Sequence, residues 1–254
     1  MTKAIDNKKY VTGSEMKPAE FQYERPGTLS EALSLLAGAD GGEVRALAGG
    51  QSLMPMMNFR LAAPDRLVDL NGIGELAGIE ETGETVRIGA MTRYSALERS
   101  ETVRQHLPLV ASALPHIAHP AIRNRGTIGG SVALADPAAE MPAVLLALDA
   151  TIIVVSERGE RQVKADDFFL GLYETALEPG EIVRAVSVPK ASATARFAFR
   201  ELARRHGDYA MAGVAMAAQG KEPLSGLRIA FFGACDRAIR ATGAEEALNG
   251  HAAG

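Results

Sequence analysis

The chain has 254 residues, 47% hydrophobic and 23% charged, which suits one large globular domain or two modest ones. A formal charge of −4 gives no basic surface for nucleic acid or an anionic membrane, and the lack of Trp leaves no obvious base-stacking platform. The single cysteine, Cys235, excludes an internal disulfide, a cysteine-based zinc cage and a self-contained iron–sulfur cluster. No apolar run is long enough to cross a bilayer, and no signal-peptide core opens the chain, so a cytoplasmic protein is expected. His116 and His119 have helical spacing but no further ligands close by, so they read as polar or packing residues.

Residues 1–16 are polar and aperiodic and read as a leader. "PGTLSEALSLLAG" then predicts a helix capped by Thr28, with Glu31 at the capping-box position and Leu29, Ala32, Leu33 and Leu36 on one face. "EVRALAGGQSLMPMMNFRL" predicts a short strand, a glycine turn and an apolar helical or irregular segment. "RLVDL" and "ETVRIGAM" are strands, and "RYSALERSETVRQHLPLVASALPHI" is mostly helix. A helix near Met141–Asp149, the strand "TIIVV", a turn at Glu157–Gly159 and a strand at Arg161–Val163 follow. The strand "VRAVSVP", from Val183, ends at Pro189, and a domain boundary is placed there. The remaining stretch, 190–254, predicts a small sheet-and-helix unit.

Three glycine clusters compete as ligand loops. "RLVDLNGIGELAG" formally matches a dinucleotide fingerprint at Gly72, Gly74 and Ala77, but a strand pattern resumes within a few residues. No crossover helix is left to receive a pyrophosphate, so Asn71-Gly72 reads as a turn. The other two clusters are Ala48-Gly49-Gly50-Gln51-Ser52 and Thr127-Ile128-Gly129-Gly130-Ser131. Each can expose consecutive backbone N–H groups to a diphosphate, with hydroxyls from Ser52, Thr127 or Ser131. Neither carries the Lys of a nucleoside-triphosphate loop. Taken singly, each is equally a tight strand-end turn; their pairing favours a cofactor that carries a diphosphate.

The order "EFQYERP…AGGQSLMPMMNFRLAAPDRLVDL…AIRNRGTIGGSVALADPAAEMPAVLLAL…FFLGLYETALEPGEIV…GDYAMAGVA" resembles the FAD-binding medium subunits of molybdenum-containing hydroxylases. The resemblance runs from about Lys17 to Gly220. It implies an α+β fold: a two-lobed FAD-binding domain of the vanillyl-alcohol-oxidase (PCMH) type over 17–189, then a small C-terminal flavoprotein domain over 190–254. It assigns Ala48, Gly49, Gly50, Gln51, Ser52, Thr127, Ile128, Gly129, Gly130 and Ser131 to the FAD diphosphate. It also places Ile117 in the cofactor cleft, Glu140 where the family often has a cofactor-bonding Asp, and Leu177 and Tyr209 near the flavin and adenine ends. For Leu177 and Tyr209, ordinary packing roles remain open.

Three departures stand out. Glu201, flanked by Arg200, occupies the region where relatives have a cofactor-contacting Lys; the C-terminal domain looks short; and the leader is extra. The resemblance further implies an electron-transfer subunit. It would take electrons from [2Fe–2S] clusters on a small partner subunit and pass them through FAD to an external acceptor. The organic substrate would be oxidised at a molybdenum cofactor on a large subunit, in a dimer of heterotrimers. The lone cysteine agrees with clusters carried by another chain, and no catalytic residue set demands an active site of its own. A self-sufficient FAD-dependent oxidoreductase of the same fold, and an interaction module that has lost FAD, are the alternatives.

Overall fold

The computed structural model describes residues 17–38, 42–220 and 223–250, so the leader read at 1–16 lies outside the described residues. The helix Leu29–Ala37 carries the capping box its sequence predicts: the Glu31 N–H donates to the Thr28 hydroxyl at 3.2 Å and the Thr28 N–H donates to the Glu31 carboxylate at 3.3 Å. Its buried face, Leu29, Ala32 and Leu33, packs with Val68 and Leu70 under a small parallel sheet. That sheet orders Gln22–Glu24, Arg66–Asp69 and Val44–Leu47, with Leu47 paired to Asp69. The first glycine cluster therefore leaves the carboxyl end of a parallel strand, where open α/β sheets receive ligands.

The rejected fingerprint folds as two short 3-10 turns, Leu70–Gly72 and Gly74–Leu76, followed directly by the strand Ile79–Thr82. No helix N-terminus is offered there. A five-stranded antiparallel sheet then runs in the order Ile79–Thr82, Thr85–Gly89, Ile182–Pro189, Thr151–Ser156, Gly159–Lys164. The stretch after Arg93 is broken into three short helices, Tyr94–Arg99, Glu101–His106 and Pro108–Ala113. Ser100 restarts the chain by accepting from the Val103 N–H, and Pro108 opens the third helix at its first position, where its missing N–H costs nothing.

A four-stranded antiparallel sheet of Ala195–Ala203, Ala210–Gln219, Ser225–Phe232 and Ile239–Arg240 follows, with the helix Thr242–Leu248 after it. Between this sheet and the five-stranded one lies the helix Glu140–Ala147, one residue earlier than its sequence suggests and buried along its whole length. A helix that is apolar all round belongs inside a core. Val86, Ile152 and Val186 of one sheet and Phe199 and Phe232 of the other share a single core with Met141 and Leu145 of this helix.

Candidate cofactor site

The first glycine cluster joins the strand Val44–Leu47 to the helix Leu53–Asn58. Gly50 sits at φ +72°, a left-handed conformation that glycine adopts without strain. The N–H groups of Gly49, Gly50, Gln51 and Ser52 find no acceptor among the described residues, while the Gln51 side chain folds back onto the Gly49 carbonyl at 3.1 Å. Successive unpaired N–H groups around a left-handed residue are the makings of an anion nest. The loop lines a cavity of about 500 Å³ together with Tyr23, Met54, Asn58, Asp69 and Arg125.

The second cluster lies against the first. A side chain at Gly49 would stand 2.9 Å from the Gly126 Cα, and one at Gly130 would stand 3.4 Å from the Ala48 Cβ. Its backbone is nevertheless engaged differently from the expectation. Thr127 caps the helix Ile128–Leu134 by accepting from the Gly130 N–H at 3.1 Å, and the Ser131 N–H donates to the Thr127 carbonyl. The Ile128 and Gly129 N–H groups donate to the carbonyls of Thr92 and Ala90, at 3.1 and 2.8 Å. All four donors are thus spent within the protein, because this cluster is stitched to the end of the strand Thr85–Gly89. Ile128 is fully buried, and Gly129 is pressed onto Ala90, with room for no side chain. What this cluster offers a ligand is a close, small-residue surface at Gly130 and the half-buried Ser131.

A polar chain centred on the buried Asp69 holds the two clusters in register, and the sequence reading did not find it. The Tyr23 hydroxyl and the Asn71 amide both donate to Asp69, and the Asn71 N–H does so at 2.9 Å. Asn71 Nδ2 also donates to the Ala48 carbonyl at 2.9 Å. Arg93 donates to Asn71 Oδ1 and to the Arg125 carbonyl. Burial works against the Asp69 carboxylate, but the hydrogen bonds from Tyr23 and Asn71 and the charge of Arg25 outweigh it and hold its pKa below the usual value. Asn71, read from sequence only as a turn former, is the crossing point.

The helix Ile128–Leu134 ends at Ala135 in a left-handed conformation, which turns the chain toward Asp136 and Glu140. Seven residues at about 1.5 Å each put this end roughly 10 Å from the start of the helix at Ile128. Glu140 is 8% exposed, and burial, together with the charges of Glu201 and Asp136, raises its pKa to about 7. Tyr209 is largely exposed, and burial of part of its ring with the charges of Asp136 and Glu140 raises its pKa. The buried Ile117 joins this group through the next two residues: the Ala118 carbonyl and the His119 ring lie directly against Gly207. Leu177 is half-buried and packs on the main core. Glu201 lies beside His116, with Oε2 3.8 Å from Nδ1, and burial raises its pKa.

Known proteins resemble this chain over most of its length. Residues 19–191 match the family model described as the FAD binding domain in molybdopterin dehydrogenase, and 197–253 match the CO dehydrogenase flavoprotein C-terminal domain. The 6-hydroxypseudooxynicotine dehydrogenase complex subunit alpha of Paenarthrobacter nicotinovorans is 45% identical over 238 residues, covering 92% of this chain and 79% of that protein. The carbon monoxide dehydrogenase medium chain of Hydrogenophaga pseudoflava is 42% identical, over 93% and 83% of the two chains. The solved carbon monoxide dehydrogenase of that organism superposes with a TM-score of 0.89 at 43% identity over the same shares. Quinoline 2-oxidoreductase from Pseudomonas putida 86 gives 0.88 at 38% identity, over 94% of this chain and 82% of that one. The chain belongs to the family of FAD-binding medium subunits of the molybdopterin-dependent dehydrogenases.

Proposed function

We infer that this chain is the FAD-carrying, electron-transferring subunit of a molybdenum hydroxylase, acting with a small [2Fe–2S] subunit and a large molybdenum-cofactor subunit. FAD supplies the redox chemistry; the chain supplies binding, orientation and electrostatics. The observation that carries this reading is the row of four N–H groups from Gly49 to Ser52 without an acceptor among the described residues, in a loop that lines a cavity, in a chain that matches the family over 19–191. The donor row fits a diphosphate, and the contact of Gly130 with Ala48 closes the second wall of that cradle. Glu140, beyond the far end of the helix Ile128–Leu134, serves the cofactor as a hydrogen-bonding carboxyl, Leu177 and Tyr209 stand near its flavin and adenine ends, and Ile117 lines the cleft.

The division into an FAD-binding part over 17–189 and a C-terminal part over 190–254 is supported by sheet membership: Ile182–Pro189 completes one sheet and Ala195–Ala203 begins the next. A dimer of heterotrimers is the assembly we propose. An unpaired, exposed thiol at Cys235 suits a reducing compartment, and we place the complex in the cytoplasm. Among the described residues no helix is long and apolar enough to cross a membrane.

The test is purification of the complex and of the isolated chain. Both should show a flavin spectrum and release FAD, not FMN, on denaturation. The isolated chain should not be bleached by the organic substrate of the complex, and adding the two partners should restore bleaching. Recovery of FMN alone, or rapid bleaching in the partner-free chain, overturns the reading.

A further inference from the structure

One cluster of ionisable side chains has no part in holding a diphosphate. Glu201 projects to the inward face of the strand Ala195–Ala203, two positions after the buried Phe199 and opposite Gly213. Its side chain is 3% exposed, and its Oε2 has no hydrogen-bond partner among the described residues. A carboxylate left so is costly, which points to a carboxyl that holds a proton or hands one on. His116 Nδ1 lies 3.8 Å from that oxygen, a gap one water bridges. The His116 side chain is 37% exposed, and the exposed His206 has its ring 5.8 Å away. The buried helix Glu140–Ala147, whose sole charged residue is Glu140, packs on the strand Ala210–Gln219 that pairs Gly213 with Glu201, and Glu140 feels the Glu201 charge.

We propose that His116, Glu201 and Glu140 form a proton-uptake path serving the flavin end of the cofactor cleft, with His116 as the solvent port and Glu140 as the inner donor. The inference rests on the FAD reading above. Electrons leave iron–sulfur clusters singly and without protons, whereas full reduction of an oxidised flavin consumes two electrons and two protons. The partner supplies the electrons; the protons come from solvent. His116 gains a proton at Nε2 and releases the one on Nδ1; the Glu201 Oε2–H bond forms and then breaks as the Glu140 carboxyl is protonated. Glu140 then gives its proton up to the reduced cofactor, and a water-mediated tautomer exchange moves the His116 proton from Nε2 back to Nδ1, so each side chain returns to its starting state and nothing along the path is oxidised or reduced.

The ionisation tendencies suit such a relay. Burial raises both carboxyls, Glu140 to about 7, while burial and the neighbouring His206 lower His116, so the carboxyls and the imidazole are shifted toward one another. Asp136 and Tyr209 also face Glu140, Tyr173 stands beside Asp136, and the buried Tyr94 hydroxyl feels the Glu140 charge.

The experiment uses the whole complex with Glu201→Gln, His116→Ala or Glu140→Gln in this subunit. FAD content is measured first; a wild-type complex without FAD refutes the cofactor reading, not the relay. FAD-loaded complexes are then reduced with titanium(III) citrate, which brings electrons without protons. Flavin reduction and proton uptake should slow tenfold or more in each variant, and imidazole should rescue His116→Ala. Redox-difference infrared spectra should lose a carboxyl C=O signal in Glu201→Gln. If Glu140→Gln loses FAD, the other two variants decide. Wild-type rates of proton uptake with unchanged carboxyl signals in FAD-loaded Glu201→Gln and His116→Ala overturn the path.

Discussion

Gly49 and Arg125 are in backbone contact: a Cβ at Gly49 would collide with the Arg125 carbonyl, the same oxygen that receives the Arg93 guanidinium. The two lobes therefore meet at a point where only glycine fits. Gly49→Ala should force the loops apart, at a cost of about 1–3 kcal/mol for an overpacked contact. Since about 1.4 kcal/mol is a factor of ten, FAD affinity should fall roughly tenfold or more. Titration of the apoprotein with FAD, followed by flavin fluorescence, measures it; unchanged affinity in a folded variant would falsify the cradle.

Asn71 should matter as much as the glycines. Asn71→Leu leaves the half-buried Ala48 carbonyl without its side-chain donor and Arg93 with one acceptor fewer, at about 1 kcal/mol for hydrogen bonds of this kind. Both FAD affinity and thermal stability should drop. Gly74→Ala is the control from the neighbouring turn, because a Cβ there meets nothing within 4 Å. Equal behaviour of the two variants would refute the role given to Asn71.

Thr127 works through its hydroxyl. Thr127→Ala removes the bond from the Gly130 N–H and should cost about 1 kcal/mol of stability, whereas Thr127→Ser should retain most of it. The freed Gly130 N–H then competes for water, and thermal denaturation of the two variants distinguishes the cap from mere packing.

Glu140 sets a pH dependence whose sign is fixed. Its folded pKa, about 7, lies above the ordinary 4.5, so its protonated form is favoured by folding. That stabilisation is complete below the unfolded pKa and disappears as pH rises through the folded one. At 1.36 kcal/mol per unit the change is roughly 3 kcal/mol between pH 4.5 and 7. Denaturant melts of the apoprotein should show wild type losing stability relative to Glu140→Gln across that window. Parallel curves for the two proteins would remove Glu140 from the account.

Features governed by near neighbours were legible in the sequence. The Thr28–Glu31 capping box is a pattern four residues long, and the strand Arg66–Asp69 announces itself by composition. The breaks at Ser100 and Pro108 have signals too, a cap and a first-turn proline, but the stretch reads from its apolar spacing only as mostly helix. The fate of the second glycine cluster was not legible. Two of its donors, the Ile128 and Gly129 N–H groups, are consumed by the carbonyls of Thr92 and Ala90, more than thirty positions earlier, and no local pattern reports a bond of that span. Tyr23, Asp69, Arg93 and Arg125 escaped for the same reason: each is an ordinary polar residue until the parallel sheet and the Arg93 guanidinium bring them under the loops.

The helix Glu140–Ala147 has neither an outside nor an owner. Its residues precede the proposed boundary at 189, yet Phe199 and Phe232, from beyond it, cover one side. Arg228 reinforces the bond between the parts by donating to the Leu146 carbonyl at 2.9 Å and pairing with Asp166. Cutting the chain at the boundary would bare the apolar side of this helix that Phe199 and Phe232 cover, so the first part made alone should precipitate. In evolution, as at the bench, the two parts are transferable only as a pair: a recombination that swaps one must bring a matching wall for the other.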